Sequence, residues 1–280
     1  MGRWTMIGAA GLALALAAGA GQAACPSDAE IAVLAGHVLA GTPAPVPQVA
    51  SAEDALCAQN KLVAALSAHW GKPSGYKAGL TSAPAQAAFG ATAPVRGVLF
   101  ADMMLPDGAR LPAAFGALPR FEADMVVVVA DAGINDATTP AEVMAHLSAL
   151  HPFIELPDLV VDTPKALTAD AITAINVGAR KGVLGAAIPA SAALIEPLAT
   201  MEVVASDAAG ADLARAPGKA ILGHPLNAVL WLRASGVTFA PGDLVSLGSF
   251  GPLMVPRPGL TASVTYKGLP GDPRISVGFD

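Results

Sequence analysis

The 280-residue sequence has little charge. Asp, Glu, Lys and Arg together make up 14%, with 16 basic against 22 acidic residues and a formal net charge of −6. No basic excess is present to neutralise a run of phosphates, so nucleic acid is not an expected partner. Aromatic residues are scarce at 5%, and cysteine occurs only twice, too few for a cysteine-ligated metal site and enough for one bridge. The 29 Gly and 24 Pro are spread along the chain, which excludes a coiled coil. The mean hydropathy is +0.55, yet the apolar excess is mostly alanine and only one long apolar run exists. What remains is a compact, mildly acidic protein, long enough for one large domain or two small ones with a sizeable core.

The single apolar run, Ile7–Ala20, is N-terminal and follows Arg3. It is shorter than the ~20 residues a membrane helix needs, and it has the length of a secretory h-region. Gly21 and Ala23 supply the small residues a signal peptidase requires. Residues 1–23 therefore read as a signal peptide, cleaved after Ala23, which makes the chain periplasmic or secreted with no stable membrane span after cleavage. Cys25 invites a lipoprotein reading, but Gln22 stands where a lipobox carries Leu. The run Gly19–Ala24 imitates a dinucleotide-binding fingerprint without a preceding strand, so it carries no such function. In an exported chain, Cys25 and Cys57 read as one disulfide across the first helix. Two free thiols, or a lipidated Cys25, are the alternatives.

Residues 24–72 form a helical N-terminal segment. Ser27-x-x-Glu30 is a capping box, followed by Ile31, Leu34 and Val38 at helical spacing up to Gly41. Ser51-Ala-Glu-Asp opens a second helix that stops at Gly71. Residues 73–280 change texture to short apolar runs punctuated by Gly and Pro. The predicted strands cover Gly97–Phe100, Met125–Ala130, Leu159–Val161, Val183–Gly185, Met201–Val204, Leu244–Leu247 and Ala262–Tyr266. Thr139-Pro140 caps one inserted helix, and another runs from Pro225 to Ala234. The class is α+β rather than a regular βαβ alternation.

Chemistry concentrates in carboxylates. If Arg120–Val129 is a strand, Glu122 and Asp124 share a face, because side chains repeat every two residues. Two such carboxylates repel unless a cation or proton lies between them. Glu155 sits in the apolar context His151-Pro-Phe-Ile-Glu-Leu-Pro, where a buried carboxylate must be paired, protonated or ligated. An oxygen-only set suits a hard cation, Mg²⁺ or Mn²⁺. The alternative is a solvated strand face, with Glu155 paired to Arg120. No nucleophile elbow, zincin helix or phosphate loop is present. His37, His69, His146 and His151 read as helix or helix-edge residues, and His224 as a helix-start residue that caps or orients loops.

Six blocks in order carry a family resemblance: Gly75-Tyr-Lys-Ala-Gly-Leu-Thr81, Gly97–Met103, Phe121-Glu-Ala-Asp124, Pro152-Phe-Ile-Glu155, Leu222-Gly-His-Pro-Leu-Asn-Ala-Val229 and Gly242-Asp…Gly248-Ser-Phe-Gly-Pro252. From about Ser51 onward the chain resembles the 2-keto-4-pentenoate hydratase and 4-oxalocrotonate decarboxylase group of the fumarylacetoacetate hydrolase superfamily. The resemblance implies a mixed β-roll body, a homo-oligomer, and Mg²⁺ or Mn²⁺ on Glu122, Asp124 and Glu155. The family has Glu more often than Asp at position 124. It implies a catalytic role for Lys77, with the metal chelating a 2-oxo acid and stabilising the enolate before water adds or CO₂ leaves.

The sequence also departs from the family pattern. Val95-Arg96-Gly97 stands where hydratases carry an acidic residue ahead of an aromatic-Gly pair, Gly178 where they carry Ser, and Leu247 where they carry Thr. Asn176, Arg180 and Ser249 are the expected substrate-binding residues. The leading expectation is a metal-dependent lyase for a small 2-oxo or 2-hydroxydienoic acid. The alternatives are a non-catalytic periplasmic binder of metal and 2-oxo acid, and a carbon–carbon hydrolase, which would need a water-activating histidine.

Overall fold

The computed structural model describes residues 1–2 and 25–280. The apolar run and the cleavage site expected within residues 1–23 lie outside the described residues. Seven α-helices occur among the described residues: α1 (Asp28–Ala40), α2 (Ala52–Trp70), α3 (Ala83–Ala88), α4 (Pro140–Ala145), α5 (Ala169–Ala174), α6 (Ile195–Thr200) and α7 (Asn227–Ala234). The strands are β1 (Pro73–Gly79), β2 (Val95–Phe100), β3 (Met104–Pro106), β4 (Arg110–Leu111), β5 (Glu122–Val129), β6 (Leu147–Leu156) and β7 (Lys181–Leu184). They continue with β8 (Ile188–Pro189), β9 (Glu202–Ser206), β10 (Asp212–Pro217), β11 (Leu244–Ser246), β12 (Thr261–Lys267) and β13 (Arg274–Phe279). Among the described residues, no helix is long and apolar enough to cross a membrane.

The N-terminal helices start where their caps dictate. Ser27 and Glu30 exchange the reciprocal bonds of a capping box, and Gly41 closes α1 in the left-handed conformation at φ 64°. Ser51 caps α2 through the Asp54 N–H. Cys25 and Cys57 form a disulfide with a Cα–Cα distance of 5.7 Å, tying the entry of α1 to α2. The apolar faces of both helices, through Ile31, Leu34, Leu62 and Leu66, share a core with Leu99 and Phe100 of β2 and with Ile172 of α5.

The body is built on two mixed sheets. The larger runs β2-β1-β11-β5-β6-β7-β3 with β8 beside β6, and the smaller runs β10-β9-β12-β13-β4. Parallel pairs, β1 with β11, β3 with β7 and β4 with β13, interrupt otherwise antiparallel ladders, so the α+β expectation holds. Alternation on β5 divides its labour. Ala123, Met125, Val127 and Val129 enter the core shared with Val203, Val264 and Tyr266 of the smaller sheet. Burying each large side chain there contributes about 1.5–3 kcal/mol. The even-numbered residues face the opposite side, where the candidate site lies.

Two sequence expectations need correction. Leu159–Val161 is not a strand. The Asp158 carboxylate accepts the N–H groups of Ala117, Leu118 and Val160, and Val160 is turned to φ 51°, leaving only a bridge from Val161 to Ala44. His151 is not at a helix edge: it lies on β6 with Nδ1 2.9 Å from the Gly185 carbonyl. Leu150, Phe153, Ile154 and Leu156 are buried along that strand, and this burial outweighs the local polarity around His151.

Candidate active site

Sheet register assembles the site. On the antiparallel pair β5–β6, Glu122 stands opposite Glu155, and Asp124 follows two residues along on the same face. On the other side of β5, Ser246 of β11 pairs with Val126, and Lys77 of β1 pairs with Ser246. Cross-strand partners share a face, so Lys77, Ser246, Asp124, Glu122 and Glu155 all point the same way. Sheet curvature then closes the remaining gap, and the Lys77 ammonium donates to Glu155 Oε1 and, at 3.1 Å, to the Val177 carbonyl. Lys77, Asp124 and Glu155 are buried at 2%, 0% and 1% exposure, while Glu122 opens onto the cavity.

Each group is fixed from behind. Asp124 accepts hydrogen bonds from the Ser246 hydroxyl, from the Gly248 N–H at 3.0 Å and from the Met125 N–H. The buried Tyr266 hydroxyl donates to the Asp124 carbonyl and stands 3.1 Å from the Phe153 N–H that donates to it, clamping β5 to β6 beneath the carboxylates. Burial holds that phenol neutral, above its ordinary range. Gly97 gives the lysine its path: a Cβ there would lie 2.9 Å from Lys77 Cγ and 3.0 Å from the Asn176 carbonyl. The carbonyl that receives Lys77 belongs to a turn in which Asn176, Val177 and Gly178 all have positive φ, 56°, 53° and 65°. Such strain at two non-glycine residues persists only where the surroundings enforce it.

The electrostatics of the site call for a cation. Oxygen atoms of Glu122, Asp124 and Glu155 lie within 4.8 Å of one another. Burial, and then the Glu155 charge, push the Asp124 carboxyl up to about 8, against the pull of its Ser246 and Met125 bonds. The same two causes raise Glu122 well above the ordinary carboxylate range, with Lys77 opposing them. Without a further cation the site therefore holds protons, because ionising all three carboxylates against one ammonium would leave two negative charges unbalanced. Glu155 Oε2 is buried and has no hydrogen-bond partner, a deficit that costs about 1–3 kcal/mol or more for a charged group. An oxygen-only donor set with an orphaned oxygen and a surplus of negative charge fits a hard divalent cation.

Glu122 borders a cavity of about 660 Å³ lined in part also by Lys77, Thr81 and Ser249, with Asp124 and Glu155 buried behind it. Of the expected substrate-binding residues, Ser249 is at this cavity, its hydroxyl donating to the Gly251 carbonyl at 2.9 Å. Asn176 is buried behind it, its amide spent on both the N–H and the carbonyl of Val98, at 2.8 and 2.9 Å. Arg180 points elsewhere. Its guanidinium donates to the Val38 and Phe115 carbonyls at 2.6 Å each, lies 3.5 Å from Asp158 and sits over the Trp70 ring. Arg120 turns to its neighbour's carbonyl at Pro119 and leaves Glu155 to Lys77. His224 accepts the Leu226 N–H ahead of α7 and contacts the Ile195 carbonyl, so it orients this loop against α6, while α7 itself starts at Leu226 without a side-chain cap.

Sequence reasoning missed Ser246, Tyr266 and the Val177 carbonyl. Ser246 left one signal, a hydroxyl inside the apolar run Leu244–Leu247. Neither of the others had a local one.

No family model matches the chain. It is 30% identical over 199 residues to 2-keto-4-pentenoate hydratase 2 of Dechloromonas aromatica strain RCB, covering 70% of this chain and 74% of that one. The 4-oxalocrotonate decarboxylase from Pseudomonas putida G7, solved with magnesium and adipate, superposes with a TM-score of 0.77. It is 23% identical and covers 92% of this chain and 100% of that one. Fumarylpyruvate hydrolase from Pseudomonas aeruginosa, solved with Mn²⁺ and pyruvate, superposes at 0.56 with 16% identity over 73% of this chain and 89% of that one.

Proposed function

The chain belongs to the 2-keto-4-pentenoate hydratase and 4-oxalocrotonate decarboxylase group of the fumarylacetoacetate hydrolase superfamily, and on that premise we propose that it is a metal-dependent lyase, of hydratase or decarboxylase type, for a small 2-oxo or 2-hydroxydienoic acid. The observation that carries this reading is the convergence of Glu122, Asp124 and Glu155 beside Lys77, with Glu122 and Lys77 at the wall of one cavity. Those three carboxylates are the holders for Mg²⁺ or Mn²⁺, which when bound supplies Lewis-acid polarisation of a 2-oxo acid.

The protein's own share is positioning and proton handling. Lys77 is held between Glu155 and the Val177 carbonyl, from where its ammonium can donate to a substrate oxygen or pass a proton to the carbon chain. Ser246 and Tyr266 keep Asp124 from swinging as charge shifts beside it. The apolar walls thin out water and strengthen each of these interactions. A carbon–carbon hydrolase would need a histidine to activate water, and none lines the cavity among the described residues. The lyase reading is therefore preferred.

The test is incubation of the Mg²⁺-loaded protein with 2-hydroxypenta-2,4-dienoate and with 4-oxalocrotonate, following loss of diene absorbance. Turnover of either supports the lyase; tight binding of a 2-oxo acid with no turnover of either overturns it in favour of a binding protein. The working compartment proposed is the periplasm or the exterior, supported by the Cys25–Cys57 bridge, since such bridges persist where conditions are oxidising.

A further inference from the structure

The cavity that Glu122 borders is far larger than a five-carbon acid and has a wall of unlike parts. Its volume, about 660 Å³, falls in the range that encloses much bulkier ligands. Lys77 and Glu122 supply its ionisable groups, while Leu80, Phe89, Leu159, Ile172 and Leu253 make the rest of the wall mostly hydrocarbon, interrupted by the hydroxyls of Thr81, Ser82 and Ser249. Lys77 is the only cationic side chain among the described residues lining it, and with two of its donors on Glu155 and the Val177 carbonyl it serves the head group rather than the tail. Two arginines of this region are spent elsewhere: Arg180 on Val38, Phe115 and Asp158, and Arg96 on the Ser235 carbonyl.

Resting on the function proposed above, we infer that this site selects 2-oxo acids with a long, uncharged, apolar tail and rejects those whose far end carries a second carboxylate. A terminal carboxylate held against this wall would lose its water and find no free cation, only the hydroxyls of Thr81, Ser82 and Ser249, which do not balance its charge. An alkyl or aryl tail would gain about fourfold in affinity for each methylene it buries, from ~0.8 kcal/mol per group. Selection therefore has both an attractive and a repulsive element. Leu253, half-buried in the loop after β11, is a specificity-determining position in this reading.

The experiment is titration calorimetry of the Mg²⁺-loaded protein with 2-oxobutyrate, 2-oxooctanoate and 2-oxoadipate, the last two being of similar bulk. The expected result is that 2-oxooctanoate binds at least about tenfold tighter than 2-oxobutyrate, and 2-oxoadipate no tighter than 2-oxobutyrate. In Leu253→Lys the order should reverse, with 2-oxoadipate gaining about tenfold and 2-oxooctanoate weakening. Binding of all three with 2-oxoadipate equal to or tighter than 2-oxooctanoate overturns the tail preference and leaves the head-group site intact. Failure of all three to bind overturns the 2-oxo-acid reading itself, and the tail preference falls with it.

Discussion

Lys77 on β1 and Glu155 on β6 form a buried ion pair although 78 residues and two intervening strands separate them. The pair balances one of three clustered carboxylates and leaves Glu155 Oε2 without a partner. Lys77→Met should separate the roles of the two ends. Turnover is expected to fall by about 10²-fold or more, as when a proton-handling group is removed. Mg²⁺ affinity measured by calorimetry should stay level or rise, since a competing cation has gone. A parallel loss of metal affinity would show that the lysine is scaffolding for the metal site.

The acidic cluster is tested by removing its members singly. Glu122→Ala and Glu155→Ala should each abolish measurable Mg²⁺ and Mn²⁺ binding in calorimetry. Asp124→Glu adds a methylene at a position with 0% exposure, already bonded to Ser246 and Gly248. Overpacking should cost about 1–3 kcal/mol of stability. Unchanged affinity in either alanine variant would eliminate the metal assignment.

The metal-free protein should lose stability as pH rises. Folded Asp124 titrates at about 8 and Glu122 well above its ordinary value, whereas both titrate near 4 once unfolded. Between these limits the folded state holds more protons than the unfolded state, so unfolding free energy falls with increasing pH. The stabilisation is complete below about pH 4 for these groups and is lost progressively toward pH 8. In EDTA, thermal midpoints are expected to drop from pH 5.5 to 8.5 once other titrations are subtracted with Glu122→Gln as reference. Added Mg²⁺ should restore more stability at the higher pH, because ligation competes with protons.

Breaking the Cys25–Cys57 bridge should destabilise the fold without touching turnover. In the chain-entropy model a loop closed across 32 residues contributes about 3–4 kcal/mol. Urea unfolding of Cys57→Ser should show a lower midpoint with an equal or steeper slope, since the unbridged unfolded chain is less compact, and reduction of the wild type should reproduce it. Identical midpoints with and without reductant would contradict the bridge.

Arg180 tests a residue whose structural place differs from its sequence expectation. Its bonds to Val38 and Phe115 and its approach to buried Asp158 join the N-terminal helices to the body. Arg180→Met should lower the thermal midpoint while leaving KM unchanged. A rise in KM with stability intact would return it to the substrate.

The two N-terminal helices were legible because their signals are local. Ser27, Glu30 and Gly41 fix α1, and Ser51 fixes the start of α2, through bonds made within one helical turn. The strand alternation that sets Glu122 and Asp124 on one face is likewise a property of the chain itself. Leu159–Val161 misled because an apolar triplet reads as a strand, while Asp158 draws the backbone into a turn through groups as far away as Ala117. Tyr266, 142 residues from Asp124, left no trace in the sequence near the site it supports.

The amino-acid sequence by itself determined the helix caps, the alternation of β5 and the residue types able to ligate a hard cation, since each depends only on neighbours within a few positions. The tertiary structure alone decided that Glu155 stands opposite Glu122 and that Lys77 serves Glu155. It also decided that Arg180 faces the helices and that the cavity bordered by Glu122 is lined mostly by hydrocarbon. Those outcomes follow from strand order, register and curvature, which arise when distant segments bury their apolar faces together.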